Sequence, residues 1–198
     1  YYHDILDRIN INEIEKIEKL LKKTVKNIDK ELELIICGSY RREQETSGDI
    51  DVLILHPKLT TQHVIDSFKS KDKNFLILLV QELTEQKILV DHLTENGYTK
   101  YMGICKLNSK SKGRRIDIRF IPYESKAAAM LYFTGSGTFN KKMRAEALLK
   151  DYTINEYGIY KTVKDGKKKI KGELVKTVTE EDIFKLVGMD YLEPENRV

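Results

Sequence analysis

Three carboxylates stand out in this chain, two in Asp49-Ile50-Asp51 and one in Arg114-Arg115-Ile116-Asp117-Ile118-Arg119. Side chains alternate across a strand, so Asp49 and Asp51 project to one face and Ile50, Val52 and Ile54 to the other. Two carboxylates one strand repeat apart repel and resist joint ionisation. A divalent cation removes that penalty. Asp117 repeats the pattern, with Ile116 and Ile118 on the opposite face. Placed beside the first strand, it completes an oxygen cage of the kind magnesium takes, with positions left for water and phosphate. Two such ions stabilise the attacking and leaving oxygens of an in-line displacement. Either tripeptide alone reads more readily as an exposed strand edge than as a metal site; the constellation points to chemistry.

The constellation includes Gly38-Ser39-Tyr40-Arg41-Arg42. An apolar strand runs into Gly38, and a short basic helix follows. Glycine permits close backbone approach, and a helix start offers unpaired N–H groups to an anion. Ser39 adds a hydroxyl. Arg42, three residues on, returns to the same side of the helix. Together these are donors for a triphosphate.

The elements that must hold these residues are legible. Ile11, Ile14, Ile17, Leu20, Leu21, Val25 and Ile28 recur at helical spacing and predict an amphipathic helix over 11–28, with Asn12 and Glu15 as a capping pair. Strands are expected over 32–37, 49–56 (ended by Pro57), 87–93, 98–107 and 114–121, and a buried helix over 75–86. Asn108 to Gly113 reads as a hairpin connection. Helices are expected over 127–133 and 139–149, separated by Thr134-Gly135-Ser136-Gly137. Tyr152 to Val163 suggests a strand pair followed by an Asp165-Gly166 turn, and Thr179 with Asp182 caps a last helix ending near Gly188. A lobe boundary falls near Pro122. The class is α+β: a sheet carrying helices, then a smaller α+β lobe.

Bulk properties narrow the function classes. With 198 residues the chain makes one sizeable domain or two small lobes around a cleft. Starting at Tyr1, it reads as part of a longer polypeptide. The longest apolar run, 75–80, is too short to span a bilayer. Cys37 and Cys105 have no metal-type spacing, and His3, His56, His63 and His92 are scattered, so neither a zinc site nor a disulfide framework is expected. The net charge is +4. Lysines and arginines cluster at 106–115, which suits a phosphate backbone. Lys167-Lys168-Lys169, taken alone, reads as a solvated turn.

These motifs resemble the family X DNA polymerases, in their palm and nucleotide-selection portions. The resemblance rests on Gly38 to Arg42, Ser47-Gly48-Asp49-Ile50-Asp51-Val52-Leu53, Arg114 to Arg119, Tyr132-Phe133-Thr134-Gly135-Ser136 and Phe139-Asn140-Lys141-Lys142-Met143-Arg144-Ala145. Thr153 to Tyr157 and Tyr191 to Pro194 extend it over essentially the whole chain. It implies a nucleotidyltransferase-type palm over 1–122 and a nucleotide-selection (thumb) lobe over 123–198. It implies two magnesium ions, replaceable by manganese, on Asp49, Asp51 and Asp117. Ser39, Arg42 and Arg8 are implied as triphosphate contacts, Gly48 as a nucleotide-binding residue, and Tyr132, Phe133 and Gly135 as the lining of the sugar pocket. Asn140 is implied at the incoming base, Arg115 near the primer terminus, and Lys141 and Arg144 on the template. Arg119 and Glu156 resemble an ion-pair switch.

The resemblance further implies DNA-directed, repair-type addition of dNTPs to a primer 3′-hydroxyl at short gaps. The implied partners are gapped or primer-template DNA and dNTP, for a monomer without membrane association. An intracellular setting is expected: the nucleus of a eukaryotic cell, or cytoplasm or virion for a viral source. The alternatives are template-independent extension of DNA or RNA 3′ ends, and an inactive DNA-binding module. Two positions depart from the pattern. Glu43 replaces a usual Gly, and its carboxylate is unfavourable beside a triphosphate unless it points away. Gly137 stands where the pattern has Asp, which removes a nucleotide contact. The lyase and helix-hairpin-helix regions lie outside these residues, so lyase activity is not assigned.

Overall fold

The computed structural model describes residues 1–61, 74–94 and 97–198. These form two compact units, Tyr1–Tyr123 and Glu124–Val198. His63 lies outside the described residues.

The first unit is built on a five-stranded sheet. Its strands are β2 (Glu33–Ile36), β4 (Ile50–Leu55), β5 (Leu89–His92), β6 (Lys100–Cys105) and β7 (Arg114–Phe120), in the order β2-β4-β7-β6-β5. Only β4 and β7 run parallel; the other pairs are antiparallel. A separate two-stranded ladder joins β1 (Ile9–Asn10) to β3 (Thr46–Ser47). Helix α1 (Ile11–Ile28) buries Ile14, Ile17, Leu21 and Val25. Each contributes about 1.5–3 kcal/mol on full burial. They join Ile50, Val52 and Ile54 of β4 and Ile116 and Ile118 of β7 in one core. The isoleucines flanking each aspartate therefore anchor the strands while the carboxylates take the other face.

Helix α3 (Phe75–Glu85) adds Leu76, Leu79 and Leu83 to that core. Its cap is Asn74, which is fully buried and accepts from the Leu76 and Ile77 amides. The cap of α1 differs from the expected Asn12–Glu15 pair. Asn10 takes the role, its side chain accepting from the Asn12 amide at 2.8 Å. Asn10 has extended backbone angles because it ends β1, and an N-cap needs just such a non-helical residue.

The second unit packs helices α4 (Lys126–Thr134), α5 (Gly137–Leu149) and α6 (Glu180–Leu186) with a three-stranded antiparallel sheet. The strands are β8 (Tyr152–Asn155), β9 (Gly158–Asp165) and β10 (Lys168–Val175), in the order β10-β9-β8. Phe139, Met143, Ile154, Ile159, Ile183 and Phe184 are in its core. Thr179 and Asp182 form the expected reciprocal cap on α6. Gly137 does not break the chain as expected: it opens α5, with Ser136 as the cap accepting from the Phe139 amide. Strand β10 was not expected, since its lysines mask the alternation a strand normally shows.

Near the C-terminus Arg197 is fully buried. It donates to Glu180 at 2.6 Å and lies 5.2 and 5.5 Å from the Phe184 and Tyr191 ring centres.

Candidate active site

Strand register brings the carboxylates together. β4 and β7 pair in parallel with Asp51 opposite Asp117. Side chains at paired positions share a face, and Asp49 precedes Asp51 on that face. One carboxylate oxygen from each of Asp49, Asp51 and Asp117 lies within 4.8 Å of the others. Asp49 is exposed, Asp51 half-buried and Asp117 buried. Burial, then the Asp49 and Asp117 charges, pushes the Asp51 carboxyl from its ordinary 3.8 up to about 7. Asp49 is raised by burial and by Asp117, against the opposing charges of Arg115, Arg119 and Arg8. Three hard oxygen donors converging at this cost are the donor set a divalent cation selects. The site therefore fits a metal.

Gly38 is built into this cluster. Its φ is +64°, a conformation that favours glycine, and an added Cβ would stand 2.8 Å from Asp51 Oδ2. The glycine thus makes room for the Asp51 carboxylate, where the sequence pointed only to close approach of a ligand. The Cys37 amide donates to the Asp51 carbonyl at 2.8 Å, tying the turn to β4. Helix α2 (Gly38–Arg41) is a single turn, and Arg42 caps its end, half-buried. Tyr40 donates to Glu18 at 2.9 Å and holds α2 against α1.

Ser39 donates to Ser47 at 2.6 Å, and Ser47 is buried. Ser47 was absent from the expected site; its position two residues before Asp49 was the available signal. Arg8 reaches the same place from the other side. Its Nε and Nη2 donate to the Thr46 hydroxyl and carbonyl at 3.2 and 3.1 Å. Its Nη1 would be 3.3 Å from a Cβ at Gly48. Ser39, Ser47, Gly48 and Arg8 are thereby gathered along the β1–β3 ladder beside Asp49.

Arg115 Nη2 approaches Asp117 at 3.4 Å, while its Nε is buried without a partner. Arg119 lies two residues beyond Asp117 on β7, and its charge lowers both Asp49 and Asp51. Glu156, expected to pair with it, follows β8 in the second unit. Glu43 takes the left-handed conformation, φ 61°, which explains the usual glycine. It lines a groove with Glu15, Glu18 and Tyr40, on the α1 side, and so stays out of the aspartate cluster.

In the second unit Tyr132 and Phe133 meet edge to face, ring centres 5.1 Å apart, and both are half-buried. Gly135 ends α4 at φ +69°. Asn140 Nδ2 donates to the Tyr132 carbonyl at 2.8 Å. That bond locks the α4 terminus to α5. Lys141 and Arg144 are exposed on α5, three residues apart and so on adjoining positions of its surface.

One further cluster was not foreseen. His56 lies 3.1 Å from Asp29 and 3.6 Å from Glu31. Its Nδ1 accepts the Lys58 amide at 3.1 Å. A neutral ring with that acceptor carries its proton on Nε2 and donates it to Asp29, leaving no lone pair for a metal. The histidine, expected to be isolated, is a hydrogen-bonded brace between β4 and the loop before β2.

A carboxylate trio, two on paired strands and Asp49 immediately before β4, beside a serine- and arginine-lined turn defines a nucleotidyltransferase type of site. Comparison with known proteins makes the class specific. The DNA polymerase beta palm family matches residues 8–123, and the DNA polymerase beta thumb family matches 129–198. The chain belongs to this family, the family X DNA polymerases. It is similar to DNA polymerase lambda of Rattus norvegicus, 37% identical over 205 residues, covering all of this chain and 34% of that protein. It is 27% identical to DNA polymerase lambda of Arabidopsis thaliana over 209 residues, all of this chain and 38% of that protein. DNA nucleotidylexotransferase of Xenopus laevis is 28% identical over 222 residues, again all of this chain and 42% of that protein. The chain thus spans between a third and a half of the curated relatives it matches.

Proposed function

We propose that this chain is the catalytic portion of a template-directed, repair-type DNA polymerase that adds dNTPs to a primer 3′-hydroxyl at short gaps. The observation that carries this reading is the parallel register of Asp51 against Asp117, with Asp49 completing the cluster. Residues 1–122 act as the catalytic palm and 123–198 as the nucleotide-selection lobe. Asp49, Asp51 and Asp117 would hold two magnesium ions, or manganese in their place, and ions bound there would supply charge neutralisation at the α-phosphate and at the departing pyrophosphate.

The chain's own residues then bind and orient. Ser39, Arg42, Gly48 and Arg8 take the triphosphate, with Ser47 fixing the Ser39 hydroxyl. Arg115, whose Nε lacks a partner, lies near the primer terminus. The primer 3′-hydroxyl gives its proton to solvent, its oxygen bonds to the α-phosphorus, and the bond to pyrophosphate breaks. Holding these atoms in line accounts for much of the acceleration in such transfers. Tyr132, Phe133 and Gly135 shape the sugar pocket and Asn140 meets the base. Lys141 and Arg144 contact the template, while Arg119 and Glu156 form the switch pair. DNA polymerase lambda and DNA nucleotidylexotransferase are both among the relatives, so template dependence is the property to measure.

The test is incorporation on a one-nucleotide gap and on an unpaired single strand, each dNTP supplied alone. Insertion confined to the base complementary to the gap supports the reading. Equal insertion of all four on either substrate overturns it in favour of template-independent extension. Asp117→Ala should lower incorporation by on the order of 10³-fold while DNA binding persists.

A further inference from the structure

We propose that the β9–β10 hairpin is a second DNA-contacting surface, a cationic ribbon that lies against the phosphate backbones of duplex DNA. The proposal rests on the DNA polymerase reading and extends it to residues that reading does not use. Strands β9 and β10 and their turn, 158–175, hold six of the chain's 35 basic residues and two of its 31 acidic ones. The hairpin therefore carries the chain's entire formal excess of +4. Lys167 to Lys169, a solvated turn when read alone, is one side of this arrangement. The antiparallel register adds Lys161 and Lys164 from the facing strand.

The register also sets where the charges point. Lys164 lies directly opposite Lys169, and Lys171 is on the same face. Lys161 and Lys168 take the other face, with Val163 and Ile170, and Lys167 sits in the turn beside Gly166. All six lysines are exposed. Like charges directly opposite destabilise a strand pair, and only part of that repulsion is met internally. Lys169 pairs with Asp151 at 2.9 Å, and Lys171 lies 4.5 Å above the Tyr160 ring. Lys161, Lys164, Lys167 and Lys168 form no ion pair among the described residues.

Beyond the β8 pairing, which ends at Lys161, the hairpin is a two-stranded ribbon with cations on both faces and at its tip, and that arrangement matches one ligand chemistry well. The major groove of duplex DNA admits a β-ribbon and flanks it with phosphates on both sides. Contacts of this kind release counterions and carry no base information. The hairpin would thus raise affinity uniformly across sequences.

The experiment is the salt dependence of binding to a fluorescein-labelled, one-nucleotide-gapped duplex. The full chain is compared with the combined variant K161Q/K164Q/K167Q/K168Q and with Asp165→Lys. The combined variant should bind at least about 10-fold more weakly at 0.1 M salt, and its log–log salt slope should shrink by roughly 2–3. Its incorporation rate at saturating DNA should match the parent. Asp165→Lys should bind more tightly with a steeper slope, and it decides the matter should the combined variant fold poorly. Parental slopes in both variants, with parental incorporation, overturn the ribbon and leave the polymerase reading standing. A parent chain that neither binds the duplex nor extends it overturns both.

Discussion

The Asp51 carboxyl illustrates how one residue joins a proposed role to a cost. Packed against Gly38 and flanked by two like charges, it is raised to about 7. The folded state then holds a proton that the unfolded chain releases from about 3.8 upward. Stability is therefore present on the acid side and is lost as pH rises through about 7. In chelator, the urea midpoint should fall between pH 5 and 8. Asp51→Asn should flatten that dependence and raise the midpoint at pH 8 by roughly 1–3 kcal/mol in stability, while incorporation is lost. Magnesium should raise the parental midpoint more at pH 8 than at pH 5.5, and should do little in the variant. A flat parental profile in chelator would contradict the crowded-carboxylate account.

At the scale of elements, the turn from α2 to β3 carries a conformational cost at Glu43. Its φ of 61° puts a non-glycine residue in the left-handed region, which costs about 1–2 kcal/mol for a residue with a Cβ. Glycine removes that strain and returns part of the gain as unfolded-chain entropy. Glu43→Gly should stabilise by roughly 0.5–1 kcal/mol in thermal or urea unfolding, with little change in metal response. Much of the surrounding element structure was legible. The 3–4 spacing from Ile11 to Ile28 matches α1 end to end, because α1 buries one stripe. Its cap was misplaced because Asn10 owes its extended conformation to β1, whose partner β3 comes much later in the chain. Strand β10 was not legible because both faces of its outer half are exposed, so no apolar alternation marks it.

The whole molecule is two units with separate cores, and each has its own point of vulnerability. In the second unit Arg197 is fully buried and depends on Glu180. Glu180→Ala would leave a buried charge without its carboxylate, which costs about 3–5 kcal/mol. Hydrogen exchange should rise across 124–198 in that variant, while the β4 and β7 amides keep their protection. Loss of protection throughout both units would show that the two cores do not melt separately. Among the described residues no helix is long and apolar enough to cross a membrane. The uneven charge places the excess of positive residues on one hairpin rather than spreading it over both units.

By itself, the order of residues determined that Asp49 and Asp51 share a face, where the Gly38-Ser39 turn lies and which isoleucines of α1, β4 and β7 enter the first core. These are local properties, since a period of two or 3.6 residues is written within a few neighbours. Only the tertiary structure decided that β7 lies parallel to β4 with Asp117 level with Asp51, that Ser47 meets Ser39, and that Lys164 faces Lys169. Pairing and register join segments far apart along the chain. They are selected by burial of the isoleucine faces, because a slip of one residue would turn those side chains outward and the aspartates into the core.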